Sequence, residues 1–148
     1  MRDVMPIDYQ FLSNPSLAFI YYQGHITADD LICAATRFAK EPTLEPGLPH
    51  FFDFSRVASY DIDYPKYFAF MAQLADIYPQ EDGEQLFVFY APEGPPAEMA
   101  EMARKPWEGS KTAIIRAAFT LNEALDILGG PRADLVSLID RLAEDAPA

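Results

Sequence analysis

Phe51-Phe52-Asp53-Phe54-Ser55-Arg56-Val57-Ala58-Ser59-Tyr60-Asp61-Ile62-Asp63-Tyr64 is the stretch on which the reading of this chain turns. Its first four residues set three phenylalanines around one aspartate, the pattern of a strand buried on both faces in the middle of a sheet. Its second half is polar and reads as a turn, ending just before Pro65, where a helix is expected to begin. Strand ends that feed helices are where open α/β folds place their working residues.

Working outward, Tyr64, Tyr67, Phe68, Met71, Leu74, Ala75 and Tyr78 recur at helical spacing and predict an amphipathic helix closed by Pro79. Phe70 falls off that stripe, which would leave it exposed or facing a partner. Glu81-Asp82-Gly83-Glu84 reads as an exposed turn, and Leu86 to Ala91 as another fully buried strand. After the loop Pro92 to Pro96, a short helix turns Met99, Met102 and Ala103 inward and breaks at Pro106, Gly109 and Ser110. Ala113 to Ala117 is the last strand. Thr120-Leu121-Asn122-Glu123 has the form of a capping box and opens a helix with Leu121, Ala124, Leu125 and Leu128 inward. Gly129-Gly130-Pro131 stops it, and Leu135, Leu138, Ile139 and Leu142 mark a terminal helix.

Toward the amino terminus, Ile7 to Phe11 and Leu17 to Gln23 read as two strands joined through Ser13-Asn14-Pro15-Ser16, an antiparallel hairpin ended by Gly24. Thr27, with Asp30 three residues on, caps a helix that carries Leu31, Ala35 and Phe38 on one face and stops before Pro42. A loop with Pro42, Pro46, Gly47 and Pro49 returns to the opening stretch. Alternation of this kind predicts an α/β fold: a mixed, mostly parallel sheet of about five strands with an N-terminal antiparallel hairpin and four to five helices. Residues 1–148 read as one domain, with 131–148 adding a C-terminal helix.

The charge balance, 23 acidic against 11 basic residues for a net −12, disfavours DNA, RNA and anionic membrane surfaces and favours a basic protein partner. Membrane insertion is not expected, because no apolar run approaches spanning length. With no apolar stretch behind Met1-Arg2-Asp3 and a single cysteine, Cys33, the expected location is the cytoplasm. Cys33 lies in an apolar helical run and is expected to be a small buried hydrophobe.

Chemistry is sparse. There is no phosphate-binding or dinucleotide glycine motif and no Gly-x-Ser-x-Gly elbow. Two histidines, His25 and His50, and one cysteine are too few for an ordinary zinc site, so neither metal nor cofactor is expected. Asp53, Asp61 and Asp63 cluster in sequence and could serve acid/base chemistry, with Tyr60 beside them. Asp63, just before Tyr64-Pro65, suits a helix N-cap better.

These elements and motifs resemble the STAS, or SpoIIAA-like, domains of bacterial anti-sigma factor antagonists, over Ile7 to Leu128. The family's central strand ends Asp-Leu-Ser-Gly-Val, matched here by Asp53-Phe54-Ser55-Arg56-Val57. Its Asp-Ser-Ser-Gly corresponds to Asp61-Ile62-Asp63-Tyr64. Gly24-His25-Ile26-Thr27 suits the approach to the first helix, and Ile114-Ile115 through Thr120-Leu121-Asn122-Glu123-Ala124-Leu125 is similar to the closing segment. The resemblance implies a non-enzymatic regulatory module that acts by protein contact. It also implies a switch serine where this chain has Asp63, so the usual phosphoacceptor is missing. The partner-facing residues would be Ser55, Ser59, Tyr60, Asp61, Asp63 and Tyr64, with the Pro92 to Pro96 loop beside them. A related group, STAS/SEC14-like proteins of unassigned role, shares the Gly-x-Ile-Thr segment and the Glu-Ala-Leu helix, and implies the alternative of a small apolar-ligand or lipid-binding module that uses the aromatic wall of the second helix. A homodimer is a further expectation.

Overall fold

The computed structural model describes residues 5–43, 47–77, 85–108 and 113–145, for 74–77 and 145 the backbone alone. Five strands lie side by side in chain order: β1 (Ile7–Leu12), β2 (Leu17–Thr27), β3 (His50–Asp61), β4 (Gln85–Tyr90) and β5 (Ala113–Ala118). β1 and β2 pair antiparallel and every later pair is parallel. The sheet is therefore mixed, with the hairpin at its start.

Because each crossover advances one strand in the same direction, right-handed connections stack their helices on one face. Helices α1 (Ala28–Ala39), α2 (Tyr64–Ile77) and α3 (Pro95–Arg104) lie there, followed by one 3-10 turn at Lys105–Trp107. Their core contains Ile20, Tyr22, Leu31, Phe38, Phe54, Tyr67, Phe89 and Met99. Helices α4 (Leu121–Leu128) and α5 (Ala133–Asp145) cover the other face. There Phe19, Phe51 and Val88 meet Ala124, Leu125 and Leu135. Phe51 and Phe54 thus serve opposite cores, which is why β3 reads as a continuous apolar run. The strand order never reverses, so the crevice at which doubly wound folds bind nucleotides does not arise.

Local signals hold up well. Thr27 and Asp30 form the reciprocal capping box. Gly129 ends α4 in the left-handed conformation at φ 112°. Thr120 makes the forward half of its box, its hydroxyl accepting the Glu123 amide. Phe70, expected off the stripe, is half-buried against the first core.

Three expectations are corrected. Gly24 does not end β2: the strand passes through it at φ 74° and runs to Thr27. The polar half of the opening stretch is not a turn: β3 continues to Asp61, leaving only Ile62 and Asp63 as connection. Cys33 is exposed rather than buried. Two residues past inward-facing Leu31, it has rotated by about 200° around α1, onto the solvent side. Expectations for Pro46, Leu74, Ala75, Tyr78, Pro79, the Glu81 to Glu84 turn, Gly109 and Ser110 concern residues or side chains outside those described.

Candidate functional site

The long strands β2 and β3 outrun their neighbours. Tyr21 pairs with Asp53, and Asp53 with Tyr90 at the last residue of β4. Beyond that row, Gln23–Thr27 and Arg56–Asp61 continue as a two-stranded parallel ribbon. The pairing jumps from Tyr21–Asp53 to Gln23–Arg56, and from Gly24–Val57 to His25–Ser59, so β3 carries one extra residue at each jump. Bulges of this kind increase twist and re-aim side chains. Gly24, with its positive φ, sits between the two irregularities.

The ribbon is tied down by side chains. His25 Nδ1 lies 2.8 Å from Ser59 Oγ across the two strands. The Tyr60 hydroxyl donates to Glu98 Oε1 of α3 at 2.7 Å, and that bond raises the tyrosine's pKa. Helix α3 thereby covers the β3 edge that β4 leaves unpaired. Ile26 and Ile62 are buried anchors below the surface. Above them Ser59, Asp61, Asp63 and Tyr64 are exposed, while Ser55 and Tyr60 are half-buried.

Asp63 caps α2. Its carboxylate accepts the Lys66 amide at 3.2 Å and its carbonyl accepts the Tyr67 amide at 3.0 Å. The Lys66 ammonium in turn bridges to Asp29 at the start of α1, and the bond raises the lysine's pKa. Asp63 thus completes a helix N-terminus, the location where an anion is favoured.

Asp53 belongs elsewhere. It is fully buried, in register between Tyr21 and Tyr90 on the α4/α5 face. One carboxylate oxygen accepts the Ser55 amide at 2.8 Å and the other meets Arg56 Nη1 at 3.2 Å. The structure therefore separates Asp53 from exposed Asp61 and Asp63, and the sequence cluster of three carboxylates is not a spatial one. Among the described residues no group of three or more His, Cys, Asp or Glu side chains is arranged to hold a metal. His25 contacts Ser59, and Asp29 bonds to Lys66.

Arg56 is the residue that sequence reasoning passed over. It sits inside the Asp53–Val57 motif, where the resemblance has glycine, and its Nε and Nη2 are buried without a partner among the described residues. The available signal was a lone arginine two residues past a run of phenylalanines.

A second feature lies on the other face. Helices α1, α2 and α3 do not fill the space against the sheet completely; they leave a partly open pocket of about 100 Å³ between Leu31, Tyr67, Met71 and Trp107 on one side and Tyr22 and Phe52 on the other. Of the wall expected on α2, Tyr67 and Met71 border it, and Phe68 and Phe70 do not.

The sequence matches no described protein family and no curated protein. A solved structure is similar in fold: an uncharacterized protein from the DUF3478 family with a SpoIIAA-like fold, from Shewanella loihica PV-4, at 14% identity, covering 86% of this chain and 98% of that one with a TM-score of 0.51. At that identity the likeness concerns fold alone. Together with the strand order and the hairpin-first mixed sheet, it shows the SpoIIAA-like fold that the motifs implied.

Proposed function

We propose that this chain is a non-enzymatic STAS-like module that acts by protein contact, with the protruding β2–β3 ribbon and the start of α2 as its contact surface. The observation that carries the reading is that ribbon: β2 and β3 run past β1 and β4 and deliver Ser59, Asp61, Asp63 and Tyr64 to solvent at one corner. The exposed large hydrophobics among the described residues support it. Met5, Tyr64 and Phe119 are 42%, 44% and 59% exposed, and each flanks a strand at the end of the sheet toward which the parallel strands point. Asp29, Asp61, Asp63 and Glu98 lie at the same end of the sheet as Tyr64, with Lys66 paired to Asp29 and Tyr60 to Glu98. An exposed aromatic side chain at an end of the sheet with an excess of carboxylates suits a basic protein surface carrying an apolar recess. A second copy of this chain, itself at net −12, is the less complementary occupant.

Asp63 gives the module a permanent charge in the position where the resemblance has a phosphorylatable serine, so contact is constitutive rather than switched there. Affinity capture from the native host tests the reading. The wild-type chain retains a basic protein, and Tyr64→Ala with Asp61→Lys loses it. Equal capture by wild type and variant, or capture of nothing, overturns it.

A further inference from the structure

Arg56 carries an inference independent of that contact surface. Three residues along a regular strand would place it on the face opposite Asp53, but the extra residue in β3 between the Asp53 and Arg56 pairings turns it back to the same side. There Arg56 Nη1 meets one Asp53 oxygen at 3.2 Å, while the other accepts the Ser55 amide at 2.8 Å. The carboxylate is fully engaged and the guanidinium is not. Its Nε and Nη2 are buried without a partner among the described residues. These two nitrogens share one edge of the planar group, the edge that grips a carboxylate through two parallel N–H bonds. Asp53 therefore holds the guanidinium by its remaining nitrogen and leaves the bidentate fork vacant. A buried donor without an acceptor is costly, and two on one edge call for an acceptor with two oxygens.

We propose that the Arg56 fork binds the carboxylate of a small organic acid at the base of the β2–β3 ribbon, on the α4/α5 side. Tyr21 and Tyr90 flank the Asp53 row on that side and pack into the same core. Burial raises the pKa of both phenols, and the Arg56 charge acts on both in the opposite sense, which places the guanidinium within electrostatic reach of each. Two aromatic rings beside a cation suit an acid with a flat apolar body. Further along the ribbon Ile26 and Tyr60 turn toward the α1–α3 core, so their neighbours His25 and Ser59 share the Arg56 side, where both are exposed. Charge selects a monoanion. Asp53 already neutralises the guanidinium, and the chain stands at net −12, so a phosphate dianion meets more repulsion than a carboxylate. Because Arg56 is desolvated before the acid arrives, the new bonds replace no water on its fork. The side chain is 12% exposed, so the fork lies just under the surface and the acid reaches it through side-chain movement alone.

Benzoate and its neutral near-isostere benzamide test this by NMR titration of the intact chain near neutral pH, with inorganic phosphate as a third probe. The Arg56 Nε–H resonance reports on the wild type, and the Tyr21 and Tyr90 ring signals report on variants. Benzoate shifts the Nε–H resonance saturably and binds at least about tenfold more tightly than benzamide. Arg56→Lys keeps a cation beside Asp53 but has no fork, and weakens benzoate by about tenfold. Asp53→Leu with Arg56→Met removes both charges and abolishes benzoate binding. The proposal is overturned if benzoate leaves the Nε–H resonance unmoved, if benzamide binds as tightly, if phosphate binds more tightly than benzoate, or if Arg56→Lys keeps wild-type affinity. Should the double variant fail to fold, Arg56→Lys, which retains the ion pair, still decides.

Discussion

The Asp63 carboxylate accepts the Lys66 amide at 3.2 Å, two residues beyond the end of the longest strand in the sheet. One side chain therefore closes the β3–α2 connection and places a negative charge at a helix N-terminus. The two roles separate experimentally. Asp63→Ala removes cap and charge and is expected to lower stability by about 1 kcal/mol, whereas Asp63→Ser keeps a capping oxygen and costs only a few tenths of that. Urea unfolding midpoints of the two variants measure the difference.

The buried pair on the opposite face is the more fragile element. Asp53 is wholly inaccessible and the Arg56 side chain is 12% exposed, so neither charge is relieved by water. Asp53→Ala strands the guanidinium and should cost about 3–5 kcal/mol. Asp53→Leu combined with Arg56→Met removes both charges and should recover most of that loss. Denaturant titration of single and double variants forms the required cycle.

Burial of His50 makes the fold acid-sensitive. Its pKa falls from 6.5 to about 4 because the protonated ring would be desolvated. The unfolded chain then binds a proton that the folded chain refuses, so stability is full above the unfolded pKa and is lost as pH falls toward the folded one. From about pH 7.5 to about pH 5 this group alone should remove about 2 kcal/mol. His50→Gln lacks that component, and comparing its unfolding free energy with wild type at both pH values isolates it from the carboxylates.

Gly24 holds β2 together through the bulged region at φ 74°. A Cβ there meets no atom within 4 Å, so only backbone strain opposes a side chain. Gly24→Ala should cost about 1 kcal/mol and Gly24→Asn less, since asparagine tolerates the left-handed region. Thermal midpoints resolve the two.

What was legible in the sequence follows from how local each signal is. Thr27 with Asp30 and the glycine stop at Gly129 act within a few residues, and the sequence displays them whole. The continuation of β3 is different. Ser55 to Asp61 lies in a ribbon whose two bulges break the period-2 alternation, so a strand reads as a polar turn. The same length extension puts Ser59, Tyr60 and Asp61 on a rigid, paired element rather than on a loop. The motifs of the resemblance track the chain and not the secondary structure, so they run through the strand end without marking it. Asp53 and Arg56 pair three residues apart on one strand, but their burial, like the pocket on the other face, depends on which faces of distant elements meet. Tyr67 and Met71 were recognisable as a wall before their neighbours were known.

Incorporation of a photocrosslinking phenylalanine analogue at position 64, in living cells of the native host, tests the contact surface most directly. The same analogue at Ser16, in the β1–β2 turn at the opposite end of the sheet, is the control. The account predicts a discrete adduct with one basic protein at position 64, reduced by Asp61→Lys and absent at position 16. No adduct at 64, or the same adducts at both positions, would contradict it.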